Sequence, residues 1–352
     1  MIICYILAVI SHSPSPEWSQ PGWLDQVEQW IQAALAQEGL AAVGPIEPVH
    51  QRPWSIALRV PTAAADFYFK ACAPVLGHEA AVTDALYRWR PDCTPIVLNS
   101  DAGRGWLFLA DGGQTLRQAF SGKGSSGKGA SRSALTASSW GEILALYAGL
   151  QLDLAGHVDE LLKLGAPDRR LALLPLLYRD LLAEPEWLLI DQPDGIKTAE
   201  YQRLLDAEPQ VTELCHELGA YAIPMSLHHN DLHDANIFFA AGRTLFFDWG
   251  DSSIAHPFFS LRTVFVSIEH TFGLEEQDPF FNDLAHAYLQ PWTTLDTAAN
   301  LTAAFDLARR LWALSSAVKY KTLLRQQEAA RAEYAAAVPS LLQEFLEANP
   351  EF

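Results

Sequence analysis

The chain has 352 residues, with 24 Lys and Arg against 42 Asp and Glu and a formal charge of −18 at pH 7. A balance that acidic argues against a nucleic-acid or anionic-membrane surface. Hydrophobic residues at 49% and charged residues at 19% indicate a folded globule with ample core. Cys4, Cys72, Cys93 and Cys215 are far apart with no C-x-x-C, which suggests neither a zinc site nor a disulfide framework and fits reduced thiols in a cytoplasmic protein.

Residues 2–10 are almost wholly apolar, yet too few to span a bilayer. They have no basic n-region, since the first Lys or Arg is Arg52, so they read as an extension and not as a signal peptide. A Pro/Ser-rich linker over 14–21 follows. Trp23, Leu24, Val27, Trp30, Ile31 and Leu35 then recur at helical spacing, which predicts an amphipathic helix over 22–38 laid on the next domain. From residue 45 the pattern changes to strands, at 54–60 and 66–71, with a turn between them. Lys70 lies near the end of the second strand. Glu79 follows nine residues later, on the face of a helix that turns Val82, Ala85, Leu86 and Trp89 inward.

A further apolar strand at 106–110 is broken by Asp111-Gly112-Gly113. Residues 121–139 are of low complexity. Gly122, Gly127 and Lys128 there have Walker-A spacing, but Gly129 stands where a metal-binding Ser or Thr is needed and no strand precedes. The segment reads as a flexible surface insertion. Helical spacing then dominates over 140–154, 170–182, 201–218, 298–324 and 328–346, the last interrupted at Pro339.

Within this helical part lies the stretch 227–251. It holds the carboxylate Asp231, the carboxamide Asn236 and the carboxylate Asp248, the last two flanking apolar runs joined by a Gly-containing turn. The runs read as a hairpin, which brings Asn236 and Asp248 to one open end with Asp231 beside them. One charged and one neutral oxygen donor suit Mg²⁺, which keeps water and phosphate oxygens for its other positions. A nearby carboxylate that is not a ligand suits a base orienting a hydroxyl, and the set has the spacing of phosphoryl transfer.

The run His229-Asn230-Asp231-Leu232-His233-Asp234-Ala235-Asn236 resembles the H-x-D-L-H-x-x-N loop of the aminoglycoside phosphotransferase and choline kinase-like family, and Asp248-Trp249-Gly250 stands where protein kinases carry D-F-G. The resemblance implies an α+β, two-lobed protein-kinase-like fold: a small antiparallel-sheet N-lobe with one packed helix, and a larger, mostly helical C-lobe. Residues 1–43 are then an extension with the amphipathic helix, 44–112 the nucleotide-binding lobe and 113–352 the catalytic and acceptor-binding lobe. It implies ATP or GTP as co-substrate with Mg²⁺, a small-molecule hydroxyl acceptor, and no nucleic-acid or membrane partner. Asp231 would orient the hydroxyl, His229 fix the loop, Asn236 and Asp248 hold the metal, and Lys70, set by Glu79, hold the α- and β-phosphates. Ala110 and Asp111 mark the hinge that meets the purine. The phosphate-covering loop, 51–55, departs from protein kinases in having no glycine; Arg52 and Ser55 are its candidate phosphate contacts. His233 reads as a brace for the loop. Asp251 reads either as a partner of the metal's ligands or as part of the acceptor pocket, and His256 as structural. Asp231, Asp234 and Asp251 together suggest a negative pocket for a cationic alcohol such as an aminoglycoside, an amino sugar or choline. Other readings are a kinase of a neutral metabolite such as a sugar or homoserine, and a nucleotide-binding pseudokinase.

Overall fold

The structure, a computed structural model, describes residues 18, 20–121, 137–240, 242–325 and 327–352. The apolar run at 2–10 and the Walker-like Gly122, Gly127 and Lys128 lie outside the described residues.

Five antiparallel strands build the smaller lobe: β1 (Glu47–Arg52), β2 (Ser55–Pro61), β3 (Asp66–Cys72), β4 (Val97–Asp101) and β5 (Trp106–Ala110), in the order β1-β2-β3-β5-β4. Sequence alternation finds the three central strands. The edge strands β1 and β4 are too polar to announce themselves, as edges that must not pair with another chain tend to be. Strand alternation puts Ile56, Leu58, Val60, Phe67, Phe69, Ala71, Trp106 and Phe108 on one face. Helix α1 (Trp23–Gln37) covers that face with Val27, Ile31, Ala34 and Leu35, all buried. The Trp30 ring meets Phe69 and Trp106 edge-on, with centroids 5.8 and 5.7 Å apart. The opposite face therefore carries Arg52, Ser55, Ala57, Lys70 and Cys72, since Arg52 pairs with Ser55, Ser55 with Cys72 and Ala57 with Lys70. That face looks toward helix α2 (His78–Trp89) and the larger lobe.

The larger lobe is helical around one core. Helix α3 (Ala137–Leu154) packs with α4 (Pro279–Leu289), and the 28-residue α5 (Ala298–Arg325) runs through the centre. The helix expected over 201–218 is two, Thr198–Asp206 and Glu208–Gly219, because Pro209 can occupy only a first turn. The one expected from residue 170 starts at Leu174, since Arg169 N–H donates to Ile254 O at 2.8 Å and holds that stretch extended. Pro339 interrupts nothing. It sits in the first turn of α6 (Ala337–Glu347), where its missing N–H has no intrahelical partner to lose, and the break falls over 332–336. Among the described residues, no helix is long and apolar enough to cross a membrane.

Candidate active site

Two short strand pairs frame the site. Strand β6 (Ser226–His228) pairs with β9 (Ser253–Ala255), and β7 (Ile237–Ala240) pairs with β8 (Arg243–Phe246) as the expected hairpin, Ile237 opposite Phe246. The loop between β6 and β7 carries His229 to Asn236, and the turn after β8 carries Asp248 to Asp251. Phe247 N–H donates to Asn236 O at 3.2 Å, so the hairpin's open end joins the two segments. Asn230 and Asp248 have φ of 67° and 66°, a left-handed conformation that Asn and Asp tolerate best among residues with a side chain.

The loop is held by its own side chains. His229 is fully buried, its Nε2 2.9 Å from Phe247 O, and its backbone N–H donates to the Tyr147 hydroxyl at 3.1 Å. The imidazole thus ties the β6–β7 loop to the turn before Asp248. Asn236 Nδ2 donates to Asp231 O at 2.9 Å and to Asp231 Oδ2 at 3.0 Å. Both bonds fix the amide so that Oδ1 is the group left to accept or to ligate. His233 Nε2 lies 3.4 Å from Asp231 Oδ2, and its Nδ1 accepts from Ala235 N–H at 3.1 Å. Burial alone would raise the Asp231 carboxyl, but the His233 imidazole, then Lys319 and His229, outweigh it and hold it well below the usual carboxylate range.

Across the cleft, Lys70 Nζ is 2.7 Å from Glu79 Oε1 and 2.7 Å from Asp248 Oδ1. Burial alone would lower the ammonium; the facing carboxylates, Asp248 ahead of Glu79, reverse this and keep it charged. The Cys72 thiol donates to Glu79 Oε2 at 2.9 Å, and burial pushes that thiol up so that the proton stays on sulfur. Glu79 Oε2 also explains Gly250: a Cβ there would stand 2.9 Å from it. Asp248 keeps one carboxylate oxygen clear of Lys70, and its side chain is 43% exposed. With Asn236 Oδ1 this makes two oxygen donors at one place, which fits a hard divalent cation of the Mg²⁺ kind.

The hinge follows β5. Ala110 N–H donates to Ile96 O at 3.0 Å and Asp111 N–H to Asp66 O at 3.3 Å, so neither expected hinge donor is open. Gly113 N–H goes to Asp111 Oδ1, and Gly112 N–H is the one left without an acceptor among the described residues. Gly112 must be glycine, because a Cβ would fall 2.1 Å from Phe238 Cδ2. Phe238 itself stacks on Phe247 at 4.0 Å, placing two aromatic rings beneath the hinge. The β1–β2 tip brings Trp54 to Tyr334 of the larger lobe, ring centroids 5.4 Å apart, above the face bearing Arg52 and Ser55.

On the other side of Asp231 lies a cavity of about 900 Å³. Asn230, Asp231, His233 and Lys319 line its floor, and Phe265, Phe281, Phe305, Trp312 and Tyr320 its walls, with Glu269 and Asp306 among its acidic groups. Two of the acidic residues expected here are already paired. Asp234 is buried against Arg117, Nη2 to Oδ1 2.6 Å, and Asp251 Oδ2 lies 3.1 Å from Lys319 Nζ. The negative pocket read from their sequence positions is therefore compensated at its base, and neither side chain lines the cavity. Lys319 itself has no local sequence signature; it reads as one more polar residue on a long helix.

Residues 130–301 match the model of the phosphotransferase enzyme family. No curated protein sequence matches the chain. Among solved structures, a macrolide 2'-phosphotransferase type I is similar at TM-score 0.56 and 14% identity, covering 95% of this chain and 99% of its own. An ethanolamine kinase from Plasmodium vivax reaches 0.55 at 13% identity over 94% and 89%. An amicoumacin kinase in complex with AMP-PNP and Ca²⁺ reaches 0.50 at 12% identity over 92% and 93%. Likeness at such identity carries the fold, which is the two-lobed, protein-kinase-like one expected from the motifs.

Proposed function

We propose that the chain, whose residues 130–301 match the phosphotransferase enzyme family, is a small-molecule kinase moving the γ-phosphate of ATP or GTP to a hydroxyl of a bulky acceptor. The observation that carries the reading is the Lys70 ammonium held at 2.7 Å by both Glu79 and Asp248, with the Asp231–Asn236 pair joined to Asp248 through the hairpin. Lys70 would take the α- and β-phosphates, Arg52 and Ser55 lie on the same face to meet phosphate, and Gly112 N–H would meet the base above the Phe238–Phe247 stack. Asn236 Oδ1 and Asp248 would hold Mg²⁺, which supplies charge neutralisation on the phosphates. Asp231, ionised and fixed by Asn236, would orient the acceptor hydroxyl and take its proton late.

Cavity size speaks to the acceptor. About 900 Å³ lies toward the upper end of the roughly 300–1,000 Å³ range of small-molecule sites, and far exceeds what a choline-sized alcohol fills. Aromatic walls with Glu269, Asp306 and Glu347 among the acidic lining suit a large amphipathic polyol that carries an amine. The test is ADP or GDP release, with mass detection of the phosphorylated product, over a panel of a macrolide, an aminoglycoside, choline and a neutral sugar. The bulky antibiotics should give the higher kcat/KM. Thermal stabilisation by Mg·ATP with no turnover on any acceptor would leave a nucleotide-binding pseudokinase instead.

A further inference from the structure

Phosphoryl transfer gathers negative charge at a place where this chain already has a carboxylate. The acceptor oxygen bonds to the γ-phosphorus while the bond to the β,γ-bridging oxygen breaks. The nucleoside diphosphate leaves with that electron pair, and the acceptor proton passes to Asp231. Charge spreads over three equatorial oxygens as this happens. On the nucleotide side, Lys70 is the near cation, and two carboxylates already share it. On the acceptor side an anionic Asp231 faces the incoming group.

We propose that Lys319 is a catalytic residue whose ammonium meets the transferred phosphoryl group from the acceptor side; the inference rests on the kinase reading above. Lys319 lies beyond the matched family segment, on α5, with its side chain only 6% exposed. Its Nζ donates to Asp251 Oδ2 at 3.1 Å and, at 3.4 Å, to the backbone carbonyl of Asn230, the residue before Asp231. Two of its three N–H groups are so used, and Nζ also lies 4.3 Å from the centroid of the Tyr320 ring in the cavity wall. It lines the floor of the acceptor cavity with Asp231 and His233. The charges around it are paired. Arg117, Arg262, Arg309 and Arg310, the other Lys and Arg of that cavity, pair with Asp234, Glu344, Glu276 and Glu351. Asp251, the partner of Lys319, also faces the buried Arg169 guanidinium. Asp231 is the second carboxylate that faces Lys319, so two cations and two carboxylates balance here, and an arriving phosphoryl group adds negative charge that the Lys319 ammonium is placed to meet. An ammonium fixed by the loop and the D-W-G-D turn needs no reorganisation as charge develops.

Lys319→Gln keeps a donor for Asn230 O and Asp251 but removes the charge. Turnover is measured on whichever panel acceptor the parent phosphorylates, or on water if none, alongside Mg·ADP affinity and the rate ratio between ATP and its γ-thio analogue. The expected result is a kcat lower by about 10²–10³-fold, with Mg·ADP affinity unchanged and a smaller thio ratio, because the lost contact is to a γ-oxygen. A retained kcat, an unchanged thio ratio, or nucleotide affinity that falls in step with turnover would each overturn the proposal and make Lys319 a tether for the loop. Lys319→Arg, which keeps the charge and its ion pair, should retain most of the parent's kcat and thio ratio; a fall as large as that expected of the Gln variant would overturn the charge role. A parent with no turnover at all removes the kinase reading and this inference together; an active parent with an equally active Lys319→Gln removes this inference alone.

Discussion

Asp231 and Asp248 are two carboxylates in one site with different partners, and the partners divide their work. Asp231 is fixed by the Asn236 amide and sits beside His233, facing the large cavity; Asp248 faces Lys70 across the cleft. Asp231→Asn should therefore lower kcat by ~10²–10⁴, roughly 3–5 kcal/mol of barrier, while Mg·ATP affinity by calorimetry stays near that of the parent. Asp248→Ala should instead abolish Mg²⁺-dependent nucleotide binding; binding equal to the parent's would place the metal elsewhere. Both residues were legible in the sequence because a short loop and a hairpin impose their spacing. Lys319 was not, since its place at the cavity floor depends on how α5 crosses the catalytic loop. Gly112 and Gly250 were legible as motif glycines, but their reasons, the Phe238 ring and the Glu79 carboxylate, come from distant segments.

The element that most clearly serves another is α1. A kinase-like sheet with one apolar face needs a cover, and Val27, Ile31, Ala34 and Leu35 supply it on the side away from Lys70. Ile31 is fully buried, so Ile31→Ala should destabilise the chain by roughly 2–5 kcal/mol, read as a lowered denaturation midpoint. At a temperature where the variant is still folded, its KM for nucleotide should stay close to the parent's, because the site lies on the other face. A KM that moves in proportion to the stability loss would mean that α1 shapes the cleft as well. Helical periodicity revealed α1 and α5 because each repeats an apolar face over many residues. It missed the break before Pro209 and set a false one at Pro339, because a proline inside an apolar pattern reads alike whether it ends a helix or starts one.

Taken whole, the molecule folds around histidines that must stay neutral. Burial lowers His256 to about 3, and burial followed by the Arg169 charge lowers His78 to about 4. Both values lie below the unfolded figure of about 6.5, so the unfolded chain binds more protons and stability rises with pH. Their contribution is complete above about pH 6.5 and drains away as pH falls toward 4 and 3. For His256 the loss at about pH 5 is on the order of 2 kcal/mol. Urea unfolding of the parent and of His256→Gln should therefore diverge at neutral pH and converge in acid; parallel curves would remove this source of acid sensitivity. The same large-scale view gives Trp54 its significance. Its indole, on the tip of the β1–β2 hairpin, rests on Tyr334 from the far end of the chain, and with Cys72, Leu76 and Leu323 it joins the two lobes over the phosphate-facing strands. A glycine-rich flap is loose by composition, whereas this one is pinned by an aromatic contact. On the kinase reading this pin would hold the cover over a bound diphosphate, so Trp54→Ala should speed diphosphate release in a stopped-flow chase, and an unchanged release rate would uncouple the pin from the tempo of the cycle.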